Sequence, residues 1–233
     1  MSRLRNWSEN GYLKIVETFL LVLATLFPVV NPPGAALIFL SMTQNASVKE
    51  RRSLARRVAL NAFFVMIGSL LMGAFILNIY GISVPVLRLA GGLIVAATGW
   101  KLLNEGAQNR ADVENADTSY VSRAFYPLTM PLTTGPGTIA VMISLGLSRS
   151  GYSGYSIDLR FIVASLLAAL VIALTIYVCF AYSHRVERLL GRGGTDIVVR
   201  LSAFILFCIG IQIIWNGASD LIGSITHPVN FTN

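Results

Sequence analysis

The sequence predicts an all-α polytopic membrane protein. Six transmembrane helices are expected as two inverted three-helix repeats, with the first and fourth helices broken at Pro/Gly motifs. Three observations carry this. The 233 residues are 55% hydrophobic and only 12% charged, about half the charge of a soluble domain. The apolar residues fall into six runs, each close to the ~20 residues that a span requires. A Pro/Gly motif also occurs twice, once in each half of the chain. The same composition excludes disorder, which needs a polar, aromatic-poor sequence. The length leaves no room for a large extramembrane domain.

The runs cover residues 13–43 (interrupted), 56–79, 84–104, 122–147 (interrupted), 159–183 and 197–222. The second, third, fifth and sixth are nearly uncharged and read as ordinary spans. Residues 12–104 are expected to form the first repeat, 105–119 an acidic connector with Glu105, Asp112, Glu114 and Asp117, and 120–222 the second repeat. The polar start, Met1 to Asn10, lacks the early apolar stretch and small-residue cleavage site of a signal peptide.

The net charge of +7 does not point to nucleic acid, because the basic residues sit between apolar runs, where they anchor spans to the bilayer. Twelve of the 18 Lys and Arg residues fall on one side of the predicted topology, in the loops after the first, third and fifth spans. That side is expected to be cytoplasmic, which puts both termini outside.

In the first interrupted run, Pro28-Val29-Val30-Asn31-Pro32-Pro33-Gly34 faces Pro131-Leu132-Thr133-Thr134-Gly135-Pro136-Gly137 of the fourth at a fixed offset of 103. Pro28 meets Pro131, Pro33 meets Pro136 and Gly34 meets Gly137. A second echo at an offset of 112 aligns Val86-Leu87-Arg88-Leu89 with Val198-Val199-Arg200-Leu201. Three spans per half is an odd number, so the second half must insert upside down, with Arg88 and Arg200 capping equivalent helices on opposite faces. Inverted repeats with paired broken helices mark secondary transporters.

Clustered prolines remove helical donors and clash with the preceding turn. An unwound backbone in hydrocarbon must line a cavity or be covered by protein. Both breaks are therefore expected inside, near one another. The half-helices starting at Gly34 and Gly137 would present N–H groups and positive dipole ends to a carboxylate. The half-helices ending before the breaks would present carbonyls to an ammonium or a cation. Asn31, Thr133, Thr134 and Thr138 add neutral polar side chains, and Pro33, Gly34, Gly135 and Gly137 shape the close backbone approach. A small zwitterion suits this set. No Asp or Glu falls mid-span, and Glu17 and Asp220 go deepest, so Na⁺ or H⁺ coupling stays open. Asn61, Thr98, Thr175, Gln212 and Asn216 are further polar candidates for the cavity, and Gly91, Gly92 and Gly99 read as close-packing sites.

Enzyme readings fare poorly. Gly151-Tyr152-Ser153-Gly154 matches an intramembrane serine protease motif, but His184 lies at the other face, about 35–40 Å away along a helix, and nothing positions His227. Two His and two apolar Cys, Cys179 and Cys208, form neither a metal cluster nor a disulfide framework. No cofactor is expected.

At these residues a resemblance enters. Residues 28–34 resemble the Asn-Pro-x-Gly element of the MarC family of bacterial inner-membrane proteins. Met130 to Ile139 is similar to its Pro-x-x-x-Gly-Pro-Gly-Thr-Ile element. Gly81-Ile82-Ser83-Val84-Pro85-Val86-Leu87-Arg88-Leu89-Ala90-Gly91-Gly92 looks like a third family stretch. The resemblance spans roughly 12–222 and departs from the pattern at Pro32-Pro33, a doubled proline, and in the length of the N-terminal extension. It implies a multi-pass protein of the bacterial inner membrane, in which the outside termini expected from the charge count would be periplasmic. Through the SnatA branch, grouped with LysE-type exporters, it further implies a carrier of small neutral amino acids such as glycine and alanine, with Asn31, Gly34, Thr134, Gly137 and Thr138 inheriting the binding role. The alternatives are efflux of drugs or other toxic small molecules, to which the family name alludes, and a non-transporting membrane subunit. Expected partners are the bilayer and the small-molecule substrate; a homo-oligomer is left open.

Overall fold

The computed structural model describes residues 2–43, 46–105, 124–126, 128–149 and 159–226. The connector beyond Glu105, the Gly151–Gly154 motif and His227 lie outside the described residues. The described residues include the helices α1 Ser2–Val30, α2 Pro32–Met42, α3 Val48–Tyr80, α4 Val84–Glu105, α5 Pro136–Arg149, α6 Leu159–Ala181 and α7 Ser183–Thr226. A wide six-residue turn, Leu128–Thr133, precedes α5. Among the described residues there is no strand.

Five stretches are long and apolar enough to cross a bilayer: Tyr12–Leu40, Val48–Tyr80, Val84–Asn104, Leu159–Ala181 and Asp196–Gly223. They coincide with the first, second, third, fifth and sixth expected spans. The fourth differs. Its helix, α5, has 14 residues and reaches only ~21 Å, short of the ~30 Å hydrocarbon core, because the Leu128–Thr133 turn takes up the chain before it. Large side chains such as Phe64, Phe75, Leu93, Leu174 and Trp215 point outward, as expected where the solvent is lipid.

Local sequence sets the boundaries. α3 begins eight residues before the apolar run it carries, because Ser47 and Glu50 close a capping box: Glu50 N donates to Ser47 Oγ at 3.3 Å and Ser47 N to Glu50 Oε2 at 2.8 Å. Buried Arg51 turns back from α3 and donates to the Thr43 carbonyl at 2.8 Å and the Ala46 carbonyl at 3.4 Å. It thereby closes the C-terminal end of α2 with a cation, where the helix dipole favours one. Gly191, at φ 65, interrupts α7, so the apolar part of that helix starts only at Asp196. Arg200 pairs with Asp196 one turn away at 2.9 Å.

The core runs between the halves of the chain. α4 packs on α7, α3 on α6, α1 on α6, α3 and α4 on α5, and α2 on α6 and α7. Among the five membrane-length stretches α6 is the most enclosed, burying Ala164, Ala168, Ala169, Ile172, Ile176 and Phe180 along one face, with Phe180 stacked on Phe39 of α2 at 4.5 Å between ring centres. The α4–α7 seam is antiparallel and lined by glycine. A Cβ at Gly99 would stand 2.5 Å from Phe207 N, at Gly210 2.3 Å from Ala96 N, and at Gly217 2.8 Å from the Pro85 carbonyl. Of the two free thiols, both in apolar runs, Cys179 is half-buried and Cys208 is exposed on the outer surface.

Candidate functional site

The first break is narrower than the Pro28–Gly34 motif implied. Pro28 lies within α1, and the turn is made at Asn31 alone, which adopts the left-handed conformation with φ 48 and ψ 59. Asn31 N still donates to the Phe27 carbonyl, and Ala35 N to the Asn31 carbonyl, both at 2.9 Å. Pro32 and Pro33 take the first two positions of α2, where a missing N–H costs nothing to that helix.

They cost the preceding helix its last partners. In a continuous helix the Pro28 and Val29 carbonyls would accept from residues 32 and 33, which as prolines have no N–H. The third donor, Gly34 N, is taken by Asn31 Oδ1 at 3.3 Å. Among the described residues, the carbonyls of Pro28, Val29 and Val30 are thus left without a backbone donor. The expectation of free N–H groups at the start of α2 is corrected by the same facts: two donors are absent and the third is capped.

The second break is built differently. Met130 leaves helical geometry at φ −111, ψ 127, and the chain widens to a five-residue ring. Thr134 N donates to the Thr129 carbonyl at 2.8 Å. Three threonine hydroxyls also bond five residues back: Thr129 Oγ1 donates to the Ala124 carbonyl, Thr133 Oγ1 to that of Leu128 and Thr134 Oγ1 to that of Thr129, at 2.6, 2.7 and 3.4 Å. These hydroxyl protons therefore serve the backbone. At the start of α5, Gly135 has no side chain to cap with and Pro136 has no N–H. The first intrahelical bond is Ile139 N to the Gly135 carbonyl at 3.2 Å. Among the described residues, the N–H groups of Gly137 and Thr138 and the Thr138 hydroxyl have no partner.

Both breaks border one cavity of about 510 Å³. Val29, Val30, Asn31 and Ala35 line it from the first break, and Thr133, Gly135, Pro136, Gly137 and Thr138 from the second. Pro33, Gly34 and Thr134 do not line it; Pro33 is exposed, and Gly34 and Thr134 are buried beside it. Gly137 is required by packing as well as by approach, since a Cβ there would meet Val95 Cγ2 at 1.9 Å.

The rest of the wall is largely aliphatic, including Ile38, Ile94, Leu132 and Leu206, with Tyr126 as its only aromatic residue among those described. Lys101 and Thr98 of α4 complete it. Lys101, which the sequence reading counts only among the anchoring charges, adds a positive charge to the wall. The Val29 and Val30 carbonyls were also missed as individual groups; the doubled proline was the signal for them. Of the other polar candidates, Asn61 instead donates to Thr129 Oγ1 at 3.5 Å, Thr175 to the Val171 carbonyl at 2.8 Å, and Gln212 to Asn216 at 2.9 Å.

Residues from two different helix ends therefore border one cavity with a largely aliphatic wall. A helix end whose carbonyls lack helical donors attracts an ammonium or a cation, and a helix start with open N–H groups attracts a carboxylate.

Comparison with known proteins agrees with the apolar, helical architecture. Residues 16–222 match the model of the family described as MarC family integral membrane protein. The protein named inner membrane protein MarC from Salmonella typhimurium (strain LT2) is 35% identical over 207 residues, covering 86% of this chain and 93% of that protein. Its namesake from Escherichia coli O1:K1 is 34% identical over 218 residues, covering 90% and 98%. No solved structure matches the chain. With nearly its whole length aligned, the chain belongs to the MarC family of integral membrane proteins.

Proposed function

We propose that the protein is a secondary transporter for small neutral amino acids of the glycine, alanine, serine and threonine class, located in the bacterial inner membrane with both termini periplasmic. The observation that carries this is the meeting of two differently wired helix breaks at one cavity. The carboxylate binds the Gly137 and Thr138 N–H groups and the Thr138 hydroxyl. The ammonium binds the Val29 and Val30 carbonyls, with the Asn31 amide beside it. The aliphatic shell accepts a hydrogen, a methyl or a small hydroxylated side chain and offers no partner to a positively charged one.

The pairing of elements supports an inverted repeat. Exchanging the halves turns the α2–α6 and α2–α7 contacts into the α5–α3 and α5–α4 contacts, and maps α3–α6 and α4–α7 onto themselves. Odd-numbered halves related in this way place equivalent elements on opposite sides of a midplane site. A drug-efflux cavity would be expected to present several aromatic faces; this one presents only Tyr126 among the described residues.

The test is thermal unfolding of the detergent-purified protein against a panel of amino acids, with and without Na⁺ and across pH. Glycine, alanine, serine and threonine are expected to raise the midpoint, and large or charged amino acids are not. A ligand at a hundred times its Kd stabilises by about 2.7 kcal/mol, which such a measurement resolves. Thr138→Val, which keeps the side-chain shape and removes the hydroxyl, is expected to weaken binding about tenfold, the loss of one hydrogen bond to a charged group. A flat panel from folded protein would overturn the amino-acid reading.

A further inference from the structure

A second cavity, of about 350 Å³, lies between α4, α5 and α7. It is separated from the first by a tight layer in which a Cβ at Gly91 would stand 2.4 Å from Ala140 Cβ and one at Gly137 would run into Val95. Arg88 in this cavity and Lys101 in the first are thirteen residues apart on α4, or ~20 Å along its axis. The two cavities thus open toward opposite ends of the bundle.

The wall of the second cavity contains Thr25, Ser144, Asn216, Ser219 and the ion pair of Arg88 with Asp220. Arg88 Nε also donates to Ser144 Oγ at 3.4 Å, so this guanidinium joins α4 to both α5 and α7. The two charged side chains remain 27% and 46% exposed. Charges in a membrane protein face water or protein, not lipid, so the exposed part of the pair faces an aqueous cavity. A half-solvated pair is held weakly and exchanges partners readily.

The chemistry that matches one cation and one anion side by side is a molecule carrying both charges on adjacent groups. A carboxylate alone would take Arg88 and leave Asp220 stripped of its partner. An amine alone would do the reverse. A zwitterion replaces each half of the pair with its own opposite charge: the planar guanidinium receives the carboxylate through parallel N–H groups, and Asp220 receives the ammonium, with Ser219 and Asn216 within the same wall. We propose that the Arg88–Asp220 cavity is a second recognition site for a small zwitterionic amino acid, at the end of the bundle opposite the Lys101 cavity. This rests on the transport reading and extends it: substrate would be recognised at both ends of its route by different chemistry, backbone groups at one and side-chain charges at the other.

The experiment is equilibrium binding of radiolabelled glycine to the full chain in lipid nanodiscs, comparing wild type with Arg88→Gln/Asp220→Asn, Asp220→Glu and Thr138→Val. Wild type is expected to bind two glycines per chain. The double neutral variant is expected to lose one of them and keep the other at unchanged affinity. Asp220→Glu, which keeps the pair's charges and displaces the carboxylate, is expected to weaken the same site about tenfold even if the double variant fails to fold. Acetate and methylamine are expected to compete at that site at least tenfold less well than glycine. Glycine binding unchanged in count and affinity in Arg88→Gln/Asp220→Asn and in Asp220→Glu, with only a lowered melting midpoint, would make the pair a helix tie and overturn this site alone. Loss confined to the charge variants, with Thr138→Val unaffected, would keep this site and overturn the first. No glycine binding by wild type would overturn both.

Discussion

Asn31 occupies a conformation that costs an ordinary L-residue about 1–2 kcal/mol, and its own side chain offsets that cost by capping Gly34 N at 3.3 Å. Ala at this position would keep the strain and lose the cap, worth about 1 kcal/mol. Asn31→Ala is therefore expected to lower stability by about 1–2 kcal/mol in thermal unfolding. Asn31→Gly, free of the strain at positive φ, is expected to cost only a few tenths while still removing the amide from the cavity wall. Equal losses for the two variants would sink this account of the break. A similar separation of roles governs Gly137. Because its missing Cβ makes room for Val95, Gly137→Val would disturb the α4–α5 contact together with any ligand, so Thr138 is the cleaner probe of the same helix end.

At the scale of elements, the α4–α7 seam is a backbone-to-backbone contact. The atom that a Cβ at Gly210 would meet, at 2.3 Å, is the backbone nitrogen of Ala96, which cannot rotate away as a side-chain tip can. Gly210→Leu is expected to destabilise by several kcal/mol, in the range of severe overpacking, and to reduce the yield of folded protein. Gly68 on α3 meets nothing within 4 Å, so Gly68→Ala is expected to raise stability by about 0.5–1 kcal/mol through helix propensity. Size-exclusion profiles and melting midpoints of the two variants would check the contrast. Much of this level is legible in the sequence. Apolar run length locates α3, α4, α6 and the apolar part of α7, and the Pro33-Gly34 and Pro136-Gly137 echo locates both breaks. What is not legible is how each break is wired. Proline costs a single N–H, and whether the chain unwinds around it depends on neighbours: α1 simply continues through Pro28, whereas the threonines at 129, 133 and 134 support a wider ring by bonding five residues back. The Val29 and Val30 carbonyls matter through partners they lack, which no residue letter records. The pairing of Arg88 with Asp220, 132 residues apart, likewise depends on the antiparallel seam rather than on local pattern.

The whole molecule is one interleaved body, since α2 of the first half packs on α6 and α7 of the second while α5 of the second packs on α3 and α4 of the first. Two rigid halves rocking apart would have to break all of these contacts and the glycine seam at once. The proposed transport cycle would instead move α2 and the 14-residue α5, short helices each hinged at a break, against a fixed α4–α7 seam. The orientation of this body follows from charge. The α2–α3 turn lies beside Lys49, Arg51, Arg52, Arg56 and Arg57, whereas the α3–α4 turn has Arg88 alone nearby. The first is expected in the cytoplasm and the second outside. Ser47 and Ser83 are exposed residues at these two turns. In a background with Cys179 and Cys208 replaced by serine, Ser83→Cys is expected to react with a membrane-impermeant maleimide on intact spheroplasts, and Ser47→Cys only after the inner membrane is permeabilised. The reverse pattern would invert the molecule. It would turn the Lys101 cavity toward the periplasm and the Arg88–Asp220 cavity toward the cytoplasm, exchanging which end a substrate meets first while leaving the internal geometry of both sites unchanged.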